Sequence, residues 1–137
     1  MIKSSLFALV LLAAPAAFGA TKQWSGAVND KWATGGNWVG GLPAPGDDLV
    51  FPSGASNMTN TNDLAAGTAF NSITFTGGFY TIGGNQVALS NGFVVQSPAN
   101  ANVNLPIRLT AAQTFNFQFS GSLGGAIDLF GNNLTIN

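Results

Sequence analysis

Neither histidine nor cysteine occurs anywhere in the 137-residue chain. Their absence removes His-based acid/base catalysis, Ser-His-Asp and Cys-His arrangements, the ordinary zinc sites, and any disulfide. Glutamate is missing as well, and charged residues make up only 7% of the sequence. Beyond residue 20 three cations (Lys22, Lys31, Arg108) stand against five carboxylates (Asp30, Asp47, Asp48, Asp63, Asp128), a net of −2. With no cluster of Lys or Arg, neither nucleic acid nor an anionic membrane surface is expected as a partner. Low charge does not mean disorder, because Phe, Leu, Ile and Val are plentiful and Asn, Thr, Ser, Gln and Gly carry the polar balance. No later segment approaches the roughly 20 apolar residues of a spanning helix, so no transmembrane span is expected in the mature chain.

The longest apolar run lies at the start. Lys3 supplies a positive charge, Leu6 to Ala14 an apolar stretch, and Ala14-Pro15-Ala16-Ala17-Phe18-Gly19-Ala20 a small-residue exit, the pattern of a secretory signal peptide. The cut falls between residues 17 and 21. Ala17-Phe18-Gly19 is the better small-x-small match, whereas a cut after Ala20 sets the bulky Phe18 three places back. The division expected is residues 1–20 as leader, 21–51 as a Trp/Gly-rich N-terminal cap, and 52–137 as a strand-repeat region. Localisation is expected to be extracellular or at the cell surface.

What the rest of the chain has is alternation. Ile73 and Phe75, Tyr80 and Ile82, Val87 and Leu89, Val103 to Leu109, Phe115 to Phe119, Ile127 and Leu129, and Leu134 and Ile136 recur at period two, the mark of short strands with one buried face. Gly77-Gly78, Gly83-Gly84-Asn85, Asn91-Gly92, Ser97-Pro98, Gly124-Gly125 and Gly131-Asn132-Asn133 punctuate them as turns. The alternation predicts Ile73, Phe75, Val87, Leu89, Val103, Leu105, Phe115, Phe117, Leu134 and Ile136 inward. It turns Thr74, Ala88, Asn104, Asn116, Gln118 and Thr135 outward, and leaves Phe79, Phe93 and Phe130 undecided.

Two internal echoes suggest a repeating unit: Ile73–Gly77 against Phe117–Gly121, 44 residues apart, and Gly84–Leu89 against Gly131–Ile136, 47 apart. Such spacings are those of solenoids and blades. The fold class expected is all-β, a right-handed parallel β-helix (β-solenoid) segment, with a β-sandwich as the alternative. The pattern stops at Leu134-Thr135-Ile136-Asn137 without a polar closing cap, so an incomplete C-terminal end and self-association through its open rung are expected.

All three tryptophans, Trp24, Trp32 and Trp38, fall in a segment otherwise built of Gly, Asn, Asp and Pro. Two readings compete. The rings form a buried plug over the first strand, Leu49 to Phe51, or they form a carbohydrate-stacking platform on the surface. Asp47-Asp48 is read as an Asx-type turn launching that strand, because neighbouring residues of an extended segment point to opposite faces and cannot converge on calcium or a sugar. Arg108 is the only arginine, and no catalytic, cofactor or metal-binding residue is assigned; an enzyme is not expected.

The spaced tryptophans, Gly36-Asn37-Trp38, Gly41-Leu42-Pro43 and Gly46-Asp47-Asp48-Leu49-Val50-Phe51 together resemble the region after the leader in bacterial proteins carrying autotransporter-associated β-strand repeats. Asn104 to Ile107, Gln113 to Asn116, Gly124 to Leu129 and Gly131 to Ile136 resemble the repeats themselves. The resemblance implies a right-handed β-helix passenger displayed at, or released from, a Gram-negative-type surface. Its role would be structural or adhesin-like, with surface glycans or host or neighbouring cell surfaces as partners. A carbohydrate-binding module, or the N-terminal part of a secreted polysaccharide-degrading enzyme, is the alternative. The barrel translocator or sorting tail that ends such proteins is not found in these residues, so outer-membrane association is expected only within a longer translocating chain.

Overall fold

The computed structural model describes residues 19–137, so the expected leader, apart from Gly19 and Ala20, lies outside the described residues. The chain enters through β1 (Thr21–Trp24), makes a single 3-10 turn at Gly35–Asn37, and returns antiparallel to β1 as β2 (Trp38–Val39). It then winds. β3 (Asp48–Phe51), β4 (Thr59–Asn62) and β5 (Thr68–Phe70) make the first coil, and β6 (Ser72–Phe75), β7 (Phe79–Gly84) and β8 (Val87–Leu89) the second. β9 (Phe93–Val95), β10 (Asn100–Val103) and β11 (Ile107–Leu109) make the third, and β12 (Gln113–Phe117), β13 (Ser120–Leu123) and β14 (Ile127–Asp128) the fourth, before β15 (Leu134–Ile136).

From β3 onward each strand pairs with the strand three places on, and β1 joins β2 to β3, giving three sheets around one core: β2-β1-β3-β6-β9-β12-β15, β4-β7-β10-β13 and β5-β8-β11-β14. Every pairing except β1 with β2 is parallel. This is a three-sided β-solenoid of about four coils, the all-β parallel architecture expected. The repeat length differs from expectation. Ile73 pairs with Phe93 and Phe93 with Phe115, steps of 20 and 22 residues. Thr81, Asn102 and Ser122 follow one another at 21 and 20. One coil is thus about half the spacing of the echoes, and the echoes are out of register. Phe115, not Phe117, stands two coils above Ile73, while Val87 and Leu134 lie in different sheets. The first echo compares one side with itself two coils on, slipped by two residues, and the second compares sides that never stack.

The core is a set of ladders, one residue per coil. Leu49, Ile73, Phe93, Phe115 and Ile136 form one column of the first sheet, and Phe51, Phe75, Val95 and Phe117 the next. Rings continue from coil to coil: Phe51 stacks on Phe75 at 5.0 Å, Phe75 meets Phe93 at 5.5 Å, and Phe93 meets Phe115 at 5.3 Å. In the second sheet the large Tyr80 is followed in register by Ala101 and Gly121, so volume is shared between coils. Each fully buried apolar side chain contributes about 2 kcal/mol of transfer free energy. Corners are tight. Gly84 adopts φ 109, and a Cβ there would lie 2.3 Å from the Asn62 carbonyl oxygen one coil below. Beside it the Asn62 amide donates to the Asn85 carbonyl and the Asn85 amide to that of Leu64, both at 2.8 Å, which ties the first two coils together.

Seven of the ten residues predicted inward are buried: Ile73, Phe75, Val87, Leu89, Val103, Leu105 and Phe115. Phe117 and Leu134 are half-buried, and Ile136 is corrected to 61% exposed. Its register is inward, but nothing among the described residues lies over the last side of the stack. Ala88 is corrected the other way: alternation turns it outward, yet it is 5% exposed, flanked in register by Ala69 and Arg108. Of the three undecided rings, Phe93 is buried, while Phe79 and Phe130 are exposed. No helix among the described residues is long and apolar enough to cross a membrane.

Candidate functional site

The segment between β1 and β3 is held in shape by one amide. Asn37 donates to the Asn29 Oδ1 and the Lys31 carbonyl, both at 2.7 Å, and its own Oδ1 accepts from the N–H groups of Val28 and Asn29. All four hydrogen-bonding capacities of this buried side chain are filled, so a loop poor in apolar residues keeps a single conformation. The indoles hang from it. Trp24, Trp32 and Trp38 are 0%, 0% and 4% exposed. Trp38 lies edge-on to Trp24 at 5.0 Å and to Trp32 at 5.7 Å, and all three rings sit 5.6 to 6.3 Å from Phe51. Every ring N–H has an acceptor: the Asn57 carbonyl at 2.6 Å, Asn60 Oδ1 at 2.7 Å and the Trp32 carbonyl at 2.9 Å, respectively.

These rings form a plug. The carbohydrate-stacking role considered for Trp24, Trp32 and Trp38 is corrected on physical grounds, because a ring covered on its faces by neighbouring rings and the Phe51 ladder has none left for a sugar. The same segment also closes the backbone edges of the first coil. β1 pairs with β3; Thr61 of β4 exchanges bonds with Asp30 and Trp32; Gly46 N–H donates to the Ala69 carbonyl of β5. Main-chain groups that a bare solenoid end would leave open thus find partners on each of the three sides, most fully along β3.

Asp47 and Asp48 diverge as expected, and each is held by structural hydrogen bonds. Asp47 Oδ2 accepts from Ala44 N–H at 2.9 Å and Oδ1 from Ala20 N–H at 2.8 Å, with Lys22 Nζ 3.9 Å away. The bonding runs back to Ala44 and across to Ala20, where an Asx turn would have run forward. Asp48 Oδ1 accepts from the Asn71 amide and the Ser72 hydroxyl of the next coil. Asp63 accepts from Ala33 N–H at 2.7 Å.

A second polar group lies at the far end of the third sheet. Arg108 Nε donates to Asp128 Oδ2 at 2.8 Å, and its guanidinium stands 4.8 Å from the centre of the Phe130 ring. The bond from Arg108 and the Phe130 N–H hold the Asp128 carboxyl below its ordinary value. Arg108 and Asp128 are register partners one coil apart, a pairing readable only once the coil length is known. Around them the fourth coil is uncovered: Leu123, Ile127 and Leu134 are half-buried, and Phe119, Leu129, Phe130 and Ile136 are exposed. Among the described residues no pocket opens and no three His, Cys, Asp or Glu side chains converge.

The class defined by this architecture is a β-solenoid plugged at its N-terminal end. No protein-family model, no curated protein and no solved structure matches the chain.

Proposed function

We propose that the chain is an exported structural segment of a bacterial surface or secreted protein, of the kind that carries autotransporter-associated β-strand repeats. The observation that carries this reading is polarity. One end of the stack is sealed by a dedicated plug, and from it the coils follow one another in parallel register over a single core. A stack of this type serves as a spacer or scaffold, and it does so with main-chain pairing and core ladders alone. Any adhesive activity belongs to the outward column Thr59, Thr81, Asn102 and Ser122 of the second sheet, in register at one residue per coil. Its hydroxyl and amide groups, about 4.8 Å apart, suit a neutral glycan better than a charged partner. The experiment is to express the tagged chain in a Gram-negative host and fractionate the cells. Export to the periplasm or beyond is expected, and retention of an unprocessed chain in the cytoplasm overturns the reading. Glycan-array binding that is lost in Asn102→Ala would add the adhesive role, and an array without signal would remove it.

A further inference from the structure

Ala20 is tied into the fold through both of its backbone groups. Its N–H donates to Asp47 Oδ1 at 2.8 Å, and its carbonyl accepts from Asp48 N–H at 3.0 Å, at the head of the first solenoid strand. Asp47 is 5% exposed. We propose that the leader is removed at the Gly19–Ala20 bond and that Asp47 receives the α-ammonium group so formed as an ion-pair partner. The proposal rests on the export reading above and goes beyond it by assigning the bond.

The sequence places the cut between residues 17 and 21, and the structure bears on the bonds after Ala17, Gly19 and Ala20. A cut after Ala20 deletes that residue and with it both bonds, leaving the Asp48 N–H and one oxygen of a buried carboxylate without these partners, a cost charged groups bear most heavily. A cut after Ala17 leaves Phe18 and Gly19 attached. The Ala20 nitrogen then remains a neutral amide opposite Asp47, and no ammonium group is formed beside that carboxylate. A cut after Gly19 keeps both Ala20 bonds and changes the donor facing Asp47 from a neutral amide to an ammonium, which makes a shorter and stronger bond. It also sets Ala17 and Gly19 at the third and first positions before the cut, the small-residue pattern that leader peptidases accept. The chemistry is hydrolysis by a host peptidase of the signal-peptidase class. Water adds across the amide, the Gly19 carbonyl carbon keeps the hydroxyl oxygen and departs as the leader's carboxylate, and the Ala20 nitrogen takes the protons to become the ammonium.

The test is N-terminal sequencing and intact-mass measurement of the exported protein from the full chain. A first residue of Ala20 is expected. A start at Phe18 or Thr21 leaves export standing and overturns the assignment, whereas a cytoplasmic chain that retains Met1 overturns both. A second measurement addresses the ion pair. In the exported protein at neutral pH, acylation of the N-terminal amine should be about tenfold slower when folded than in denaturant, and Asp47→Asn should restore the fast rate. Equal rates in the folded and denatured protein overturn Asp47 as partner, even if the variant does not accumulate.

Discussion

Trp38 touches both other indoles and Phe51, and it has no duplicate in the plug. Trp38→Ala is therefore expected to cost about 3–5 kcal/mol, read as a lowered midpoint in denaturant unfolding. A loss within experimental error would show the plug to be ornamental. Tyr80, the only tyrosine of the chain, gives a cleaner probe. Its hydroxyl donates to the Pro52 carbonyl at 2.5 Å, and burial pushes its pKa from 10.0 up to about 12. A raised value favours the protonated form in the folded state, so this contribution to stability is fully present below pH 10 and is lost as pH rises through about 12. Ultraviolet titration of the phenolate should show a high transition in the native protein and the ordinary one in denaturant. A single ordinary transition in both would place the ring in water.

The strands are short, and no one of them would persist alone; parallel pairing with the equivalent side of the next coil makes each one possible. Core volume is accordingly set per column. Above Tyr80 come Ala101 and Gly121, and a Cβ on Gly121 would lie 2.9 Å from the Phe117 ring. Ala101→Leu is expected to overpack this column and cost about 1–3 kcal/mol. The same change at the exposed Asn102, one residue on, should be close to neutral. Equal effects at the two positions in thermal unfolding would mean that the second sheet is not in the register described. The alternation identified which side chains of these strands enter the core, since period two is a local property. Coil length was not legible, because it depends on how many residues each corner uses, and corners range from the single Asn71 between β5 and β6 to the whole of 52–58 between β3 and β4.

The two ends of the solenoid are chemically unlike. At the plugged end β3 is paired with β1, and the edges of β4 and β5 are met by hydrogen bonds from the loop segment before them. At the other, β13, β14 and β15 present free edges with a single charged residue, Asp128, which is already paired to Arg108. Edges with so little charge recruit strands. The chain is expected to associate through this end as concentration rises. The plug blocks head-to-tail stacking, so association should stop at dimers instead of growing into fibres. Light scattering coupled to size-exclusion chromatography should register dimers, and Leu134→Lys with Ile136→Lys should return the protein to monomer with its strand content unchanged. A monomer at every concentration, or long polymers, would contradict this account.

Read alone, the amino-acid order determined that the chain is all-β, that its strands bury one face, and that the three tryptophans share one turn-rich segment ahead of Leu49 to Phe51. Each of these follows from the residues themselves: alternation, turn chemistry, and the need of large rings for cover. Only the tertiary structure decided the coil length, the acceptors of the indole N–H groups, the burial of Ala88, the exposure of Ile136 and the pairing of Arg108 with Asp128. The physical reason is common to all of them. In a solenoid a residue's environment is supplied by residues about 20 positions away, and that neighbourhood comes into being only when one coil is laid in register upon another.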